Sequence, residues 1–110
     1  MGKKNKIMFE LEPELLKKLL DVYGEEEQLF QTSGECGELI GKIQNYHRAK
    51  KFKHRQETFA HVLDEAVDVF FMIQQIREMD PAMFDYMCSQ KVIKIYQKLE
   101  KEKPDGSKED

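Results

Sequence analysis

Apolar positions along this chain recur at helical spacing, and no alternating run is long enough to suggest a sheet. Leu15, Leu16, Leu19, Leu20 and Tyr23 follow Pro13, a residue suited to a first helical turn, and Gly24 ends the run. A second helix is expected from Glu25 to about Tyr46, weakened by Gly34, Gly37 and Gly41, where a ligand or another backbone can come close. The polar, basic stretch HRAKKFKHRQ, residues 47–56, reads as the longest loop. A third helix is expected from Glu57 to Met79. Asp80-Pro81 then supplies an N-cap and a first helical residue for a fourth helix that ends near Glu102. The prediction is an all-α, four-helix protein: a flexible arm over 1–9, one domain over 10–102 and a disordered tail over 103–110.

The faces of these helices hold the unusual feature. With Glu65 as the angular origin, Ile76, Val69, Val62 and Ile73 lie at about 20°, 40°, 60° and 80°, and Met72 at about −20°. Glu65 therefore sits inside an apolar stripe, bordered by Asp68 and His61. Leu63, Val67 and Phe71 cover much of the far side, as in a helix central to its fold or held between subunits. On the second helix Leu29, Cys36, Leu39, Ile40 and Ile43 share one arc, with Glu35 at its edge and Glu38 just beyond. On the fourth, Phe84, Met87, Cys88, Val92, Ile95 and Leu99 form the stripe, and Lys91 falls within it. Both cysteines are expected to pack in the core.

The chain has 110 residues, 40% of them apolar, which suits one modest core. A net charge of −3 argues against a nucleic-acid binder, the basic stretch being the local exception. Two distant cysteines without metal-ligand spacing, no signal-peptide pattern and no membrane-length apolar run point to the cytoplasm.

Two carboxylate pairs at i, i+3 spacing, Glu35 with Glu38 and Glu65 with Asp68, each present one face. A single pair of this kind is usually a solvated helix surface. Two pairs on neighbouring helices, one embedded among apolar residues, would repel each other strongly unless protonated or bound to a cation. Oxygen-only ligation favours Mg²⁺, with Mn²⁺ as a second choice. The sequence contains no Glu followed three residues later by His, which excludes the usual di-iron bundle motif.

Taken with their surroundings, YGEEEQLFQTSGECGELIGKI and HVLDEAVDVFFMIQQI, these pairs resemble the MazG-like superfamily of all-α nucleoside triphosphate pyrophosphohydrolases. The resemblance covers about residues 15–100 and departs from many relatives at Gly34, where they carry a further acid. It implies a MazG-type four-helix fold that assembles as a homodimer or homotetramer. It also implies Mg²⁺-dependent cleavage of a nucleoside triphosphate to monophosphate and pyrophosphate, with Glu35, Glu38, Glu65 and Asp68 as metal ligands. Glu38, at the wetter edge, is the candidate base. Lys91 and Lys94 are candidates for holding phosphate, and Lys50, Lys53 and Arg55 are candidates for a mobile clamp over it. His61 is a candidate partner behind the metal ligands, and Phe9, Leu16 or Phe30 are candidates for the pocket wall. The alternative is a non-catalytic helical module that binds a nucleotide or a protein.

Overall fold

The computed structural model describes residues 9–102, four α-helices with no strand among them: α1 Pro13–Tyr23, α2 Glu25–Arg48, α3 Phe52–Met79 and α4 Pro81–Glu102. The all-α class expected from periodicity is what forms. Among the described residues no helix is long and apolar enough to cross a membrane. Residues 1–8 of the expected arm and the expected tail over 103–110 lie outside the described residues. Phe9 is described, and it stacks on Phe71 at 6.3 Å between ring centroids.

Local chemistry explains the helix ends. Pro13 opens α1 without losing a needed N–H. Gly24 takes φ +91°, a conformation closed to most residues, and its N–H bonds Leu20 O at 2.8 Å, so the chain turns at once from α1 into α2. At the start of α4, Asp80 Oδ1 accepts the Met83 backbone N–H at 3.2 Å, with Pro81 in the first turn.

The expected ten-residue basic loop is corrected. Only Ala49, Lys50 and Lys51 lie between α2 and α3, and Phe52 to Gln56 already belong to α3. Lys, Arg and Gln are good helix formers, so the segment needs no apolar stripe to be helical. Arg55 locks the junction. Its Nη1 donates to Ala49 O at 3.0 Å and to Tyr46 O at 3.5 Å, filling the open carbonyls at the end of α2. Its guanidinium also lies 4.2 Å from the centre of the Tyr46 ring, and Tyr46 meets Phe59 at 5.5 Å.

The chain forms two compact units that divide between Met79 and Asp80. In the first, α2 and α3 make an antiparallel hairpin that α1 packs against. Its register follows from three pairings: Gln28 with Gln75, Glu35 and Glu38 with Glu65, and Tyr46 with Phe59. The buried set is unusually polar. Leu16, Ala49 and Met72 are its apolar members, against Gln28, Thr58, Glu65 and Gln75. Large side chains expected in the core are instead exposed, among them Leu29, Ile40 and Ile43 on α2 and Leu63 and Val67 on α3. The second unit is α4, which has no buried residue. Val92, Ile95 and Leu99 of its stripe are open, and Cys88 is exposed rather than packed in a core; Cys36 is half-buried.

Gln75 is the most buried side chain among the described residues, 2% exposed. It accepts a 2.7 Å hydrogen bond from Gln28 Nε2 and passes its own Nε2–H to Phe71 O at 3.3 Å. Gln75→Leu strands the Gln28 amide, so it should destabilise the protein by about 1–3 kcal/mol in urea unfolding. Adding Gln28→Leu should recover most of that loss, because an apolar pair leaves nothing unsatisfied. A single variant as stable as the parent would show that the pair contributes nothing.

Candidate metal centre

The hairpin register sets α2's Glu35 and Glu38 beside α3's Glu65. These three can each place a carboxylate oxygen within 4.8 Å of the other two, and Asp64, Glu65 and Asp68 do the same among themselves. Glu65 is the shared member, so the two trios meet on it. Burial grades across the site: Glu65 is buried, Glu35 half-buried, and Glu38, Asp64 and Asp68 are exposed. The site thus has a dry floor and a wet rim.

Glu65 is the strained member. It is 9% exposed, and its Oε1 is buried without a hydrogen-bond partner among the described residues. A buried acceptor left unmatched is costly, and a charged one more so. Burial pushes the Glu65 carboxyl above its ordinary value. The negative charges of Glu38, Asp68 and Glu35 add to this, in that order, as does a hydrogen bond with Glu38 that requires a proton between the two acids. Either a proton or a cation relieves such a group. The donors are five carboxylates, with no nitrogen or sulfur among them, a set that fits Mg²⁺ or Mn²⁺ and not a softer metal.

Three contributors were missed in the sequence reading. Asp64 precedes Glu65, and its i, i+4 relation to Asp68 passes for an ordinary charged face. Gln31 donates to Glu35 Oε2 at 3.2 Å and orients it from one turn away. Lys42, one turn beyond Glu38, lines a hollow of about 340 Å³ with Glu38, Gly41 and Asn45. An E-x-x-x-K spacing on a helix reads as a routine surface pair, so only the hollow singles it out.

At 1.5 Å rise per residue, Lys53 and Arg55 are fixed about 18 and 15 Å along α3 from Glu65. With Lys50, they belong to the hairpin tip and not to a loop that could fold over the acids. Arg55 is moreover engaged by the end of α2. The segment expected to carry a mobile clamp is therefore helical at Lys53 and Arg55. His61 is exposed, one turn before Glu65. Leu16, 3% exposed, is core and not pocket wall, whereas Phe9 and Phe30 are exposed. Lys91 and Lys94 are exposed on α4 in the second unit, beside a hollow of about 280 Å³ shared with Tyr86, Met87 and Gln90. A Cβ built on Gly34, Gly37 or Gly41 would meet nothing within 4 Å, so the space beside this stretch of α2 is open.

No protein-family model, no curated protein and no solved structure matches this chain.

Proposed function

We propose that this chain is a Mg²⁺-dependent hydrolase that splits a nucleoside triphosphate into the monophosphate and pyrophosphate. One observation carries the reading: a buried, unpartnered carboxylate oxygen, on Glu65, at the meeting point of two carboxylate trios. Glu35, Glu38, Glu65 and Asp68, with Asp64, would hold the metal. When bound, magnesium neutralises the oxygens of a polyphosphate and acidifies a water beside it. Glu38 faces solvent on the rim, so it can take a proton from an attacking water, a role the buried Glu65 is badly placed to fill. Lys42, half-buried on the next turn, supplies a cation to a phosphate oxygen lying in the same hollow. Gln31 donates a hydrogen bond to one oxygen of Glu35. Positioning and charge neutralisation are what phosphoryl chemistry chiefly asks of a protein.

The same reading includes a homodimer. A first unit whose buried set is mostly polar, and which leaves Leu29, Phe30, Ile40, Ile43, Leu63 and Val67 in water, has apolar surface for a second copy. The open glycine stretch on α2 costs roughly 1 kcal/mol per residue relative to Ala, which close approach of a partner helix would offset. Light scattering at micromolar concentration should give twice the mass of one chain; the mass of one chain would remove this part of the proposal.

A panel of nucleoside triphosphates, incubated with magnesium and scored for monophosphate and pyrophosphate, tests the activity. Turnover of at least one member, lost in EDTA and in Glu65→Ala, is the expected result. If every member survives although magnesium binds, the protein is the non-catalytic nucleotide-binding module instead.

A further inference from the structure

Charge is distributed very unevenly along this chain. Between Glu38 and Glu57 there is no acid, yet Lys42, Arg48, Lys50, Lys51, Lys53 and Arg55 all fall there. The net charge of −3 is therefore +6 in this stretch and −9 elsewhere. The fold gathers most of this charge at one place, the tip of the α2–α3 hairpin. Arg48, Lys50, Lys51 and Lys53 are exposed there, and no ion pair among the described residues neutralises the three lysines.

Aromatic rings are set among these cations. Phe52 stands between Lys51 and Lys53 with 77% of its surface exposed. Tyr46, Phe52 and Phe59 line a hollow of about 220 Å³ together with Arg55 and Gln56. The hollow is pre-shaped: Arg55 is held by two carbonyls with its guanidinium carbon 4.2 Å from the centre of the Tyr46 ring, and Tyr46 leans on Phe59. A merely solvated basic turn has no use for a phenyl ring in water at its centre.

Exposed cations beside accessible ring faces are the requirements of one ligand class. Phosphates pair with the cations, and unstacked bases lie on the rings. A duplex keeps its bases stacked inside and offers nothing to those rings. We propose that the hairpin tip binds single-stranded nucleic acid. Bases stack on Phe52 and in the Tyr46–Phe59 hollow, and the backbone runs over Arg48, Lys50, Lys51 and Lys53. An anionic membrane would also attract the lysines. However, a hollow walled by three rings, with a glutamine amide at its edge, fits a flat polar ring better than an acyl chain. This function uses none of the metal centre's acids, the nearest of which on α3, Asp64, lies about 8 Å along the helix from Phe59 and about 18 Å from Phe52.

Fluorescence anisotropy of the full chain with a labelled oligothymidylate tests the assignment, with EDTA present so that the metal centre plays no part. Binding should weaken with salt at a log–log slope of about −3 if four cations each release a counterion from a single strand. Reversing Lys50, Lys51 and Lys53 to Glu should abolish binding. Phe52→Ala should weaken it about tenfold and leave the salt slope unchanged, since stacking is not ionic. Circular dichroism of each variant guards against unfolding. The proposal is overturned by any of three results: no binding at low salt, equal affinity for the matching duplex with no effect of Phe52→Ala, or binding to phosphatidylserine vesicles without binding to the oligonucleotide.

Discussion

Glu65→Gln should raise the thermal midpoint of the metal-free protein and abolish any further rise on adding magnesium. The parent, at a magnesium concentration about a hundredfold above its dissociation constant, gains about 2.7 kcal/mol by mass action. For a domain of this size that is a shift of roughly 10–20 °C. The two effects have one origin. Glu65 has an oxygen with no partner among the described residues, in a dry place, near other carboxylates. Folding raises its pKa above the ordinary 4.5, so the folded state holds this proton more tightly than the unfolded chain does. Its contribution is therefore most favourable below the unfolded value and is lost as pH rises from there through the raised folded value. Glutamine imitates the protonated acid at every pH and removes the penalty. Magnesium needs the ionised form, so its stabilising effect on the parent should fade as pH drops through that same raised value. A calorimetric series over pH, with magnesium or EDTA, measures all of this. If Glu65→Gln melts below the parent without metal, or if magnesium never moves the parent's midpoint, the carboxylates at Glu65 do not form a cation site.

Glu38→Gln should lower kcat for pyrophosphate release by about 100- to 10,000-fold, the usual range for a lost general base. Glu38 has two proposed tasks, ligand and proton acceptor, and raising the magnesium concentration separates them. A ligand that is merely weakened can be compensated by more metal; a missing base cannot. The loss should therefore persist in kcat at saturating magnesium. Asp64→Asn, on the other side of Glu65, should lose activity mainly through metal affinity and recover as magnesium is raised. If excess magnesium rescues Glu38→Gln instead, Glu38 is a ligand and the proton goes elsewhere.

How far the chain could be read without coordinates varies by element. Gly24 and Asp80-Pro81 act through their own backbone geometry and through bonds spanning three or four residues, so their breaks fall where the residue types say. The basic stretch misled because it has no apolar period. What makes it helical is partly its long-chain residues, and partly Arg55 reaching back to Tyr46 and Ala49, a contact invisible before the hairpin is closed. Asp64 and Lys42 went unnoticed because charges spaced four apart on a helix are commonplace. The apolar stripes correctly identified oily faces, but a period says nothing about what covers a face. Leu29, Ile43 and Val92 face water in a single copy, while Gln28 and Gln75, polar in any sequence pattern, find each other and become buried.

Sequence by itself determined the all-α class, the four helices, the two sharp boundaries and the facing of each acid pair on its own helix. These are local consequences of a 3.6-residue turn and of special residues at helix ends. Tertiary structure alone decided that the pairs meet on Glu65, that Asp64 joins them, that Arg55 serves the end of α2, and that cations and rings collect at one tip. The meeting on Glu65 depends on the register between residues 27 and 30 positions apart, and the contacts at the tip on pairs 6 to 13 apart that come together only once the hairpin closes. That register is set by a three-residue connection and by the packing of two whole helices, which no local period encodes.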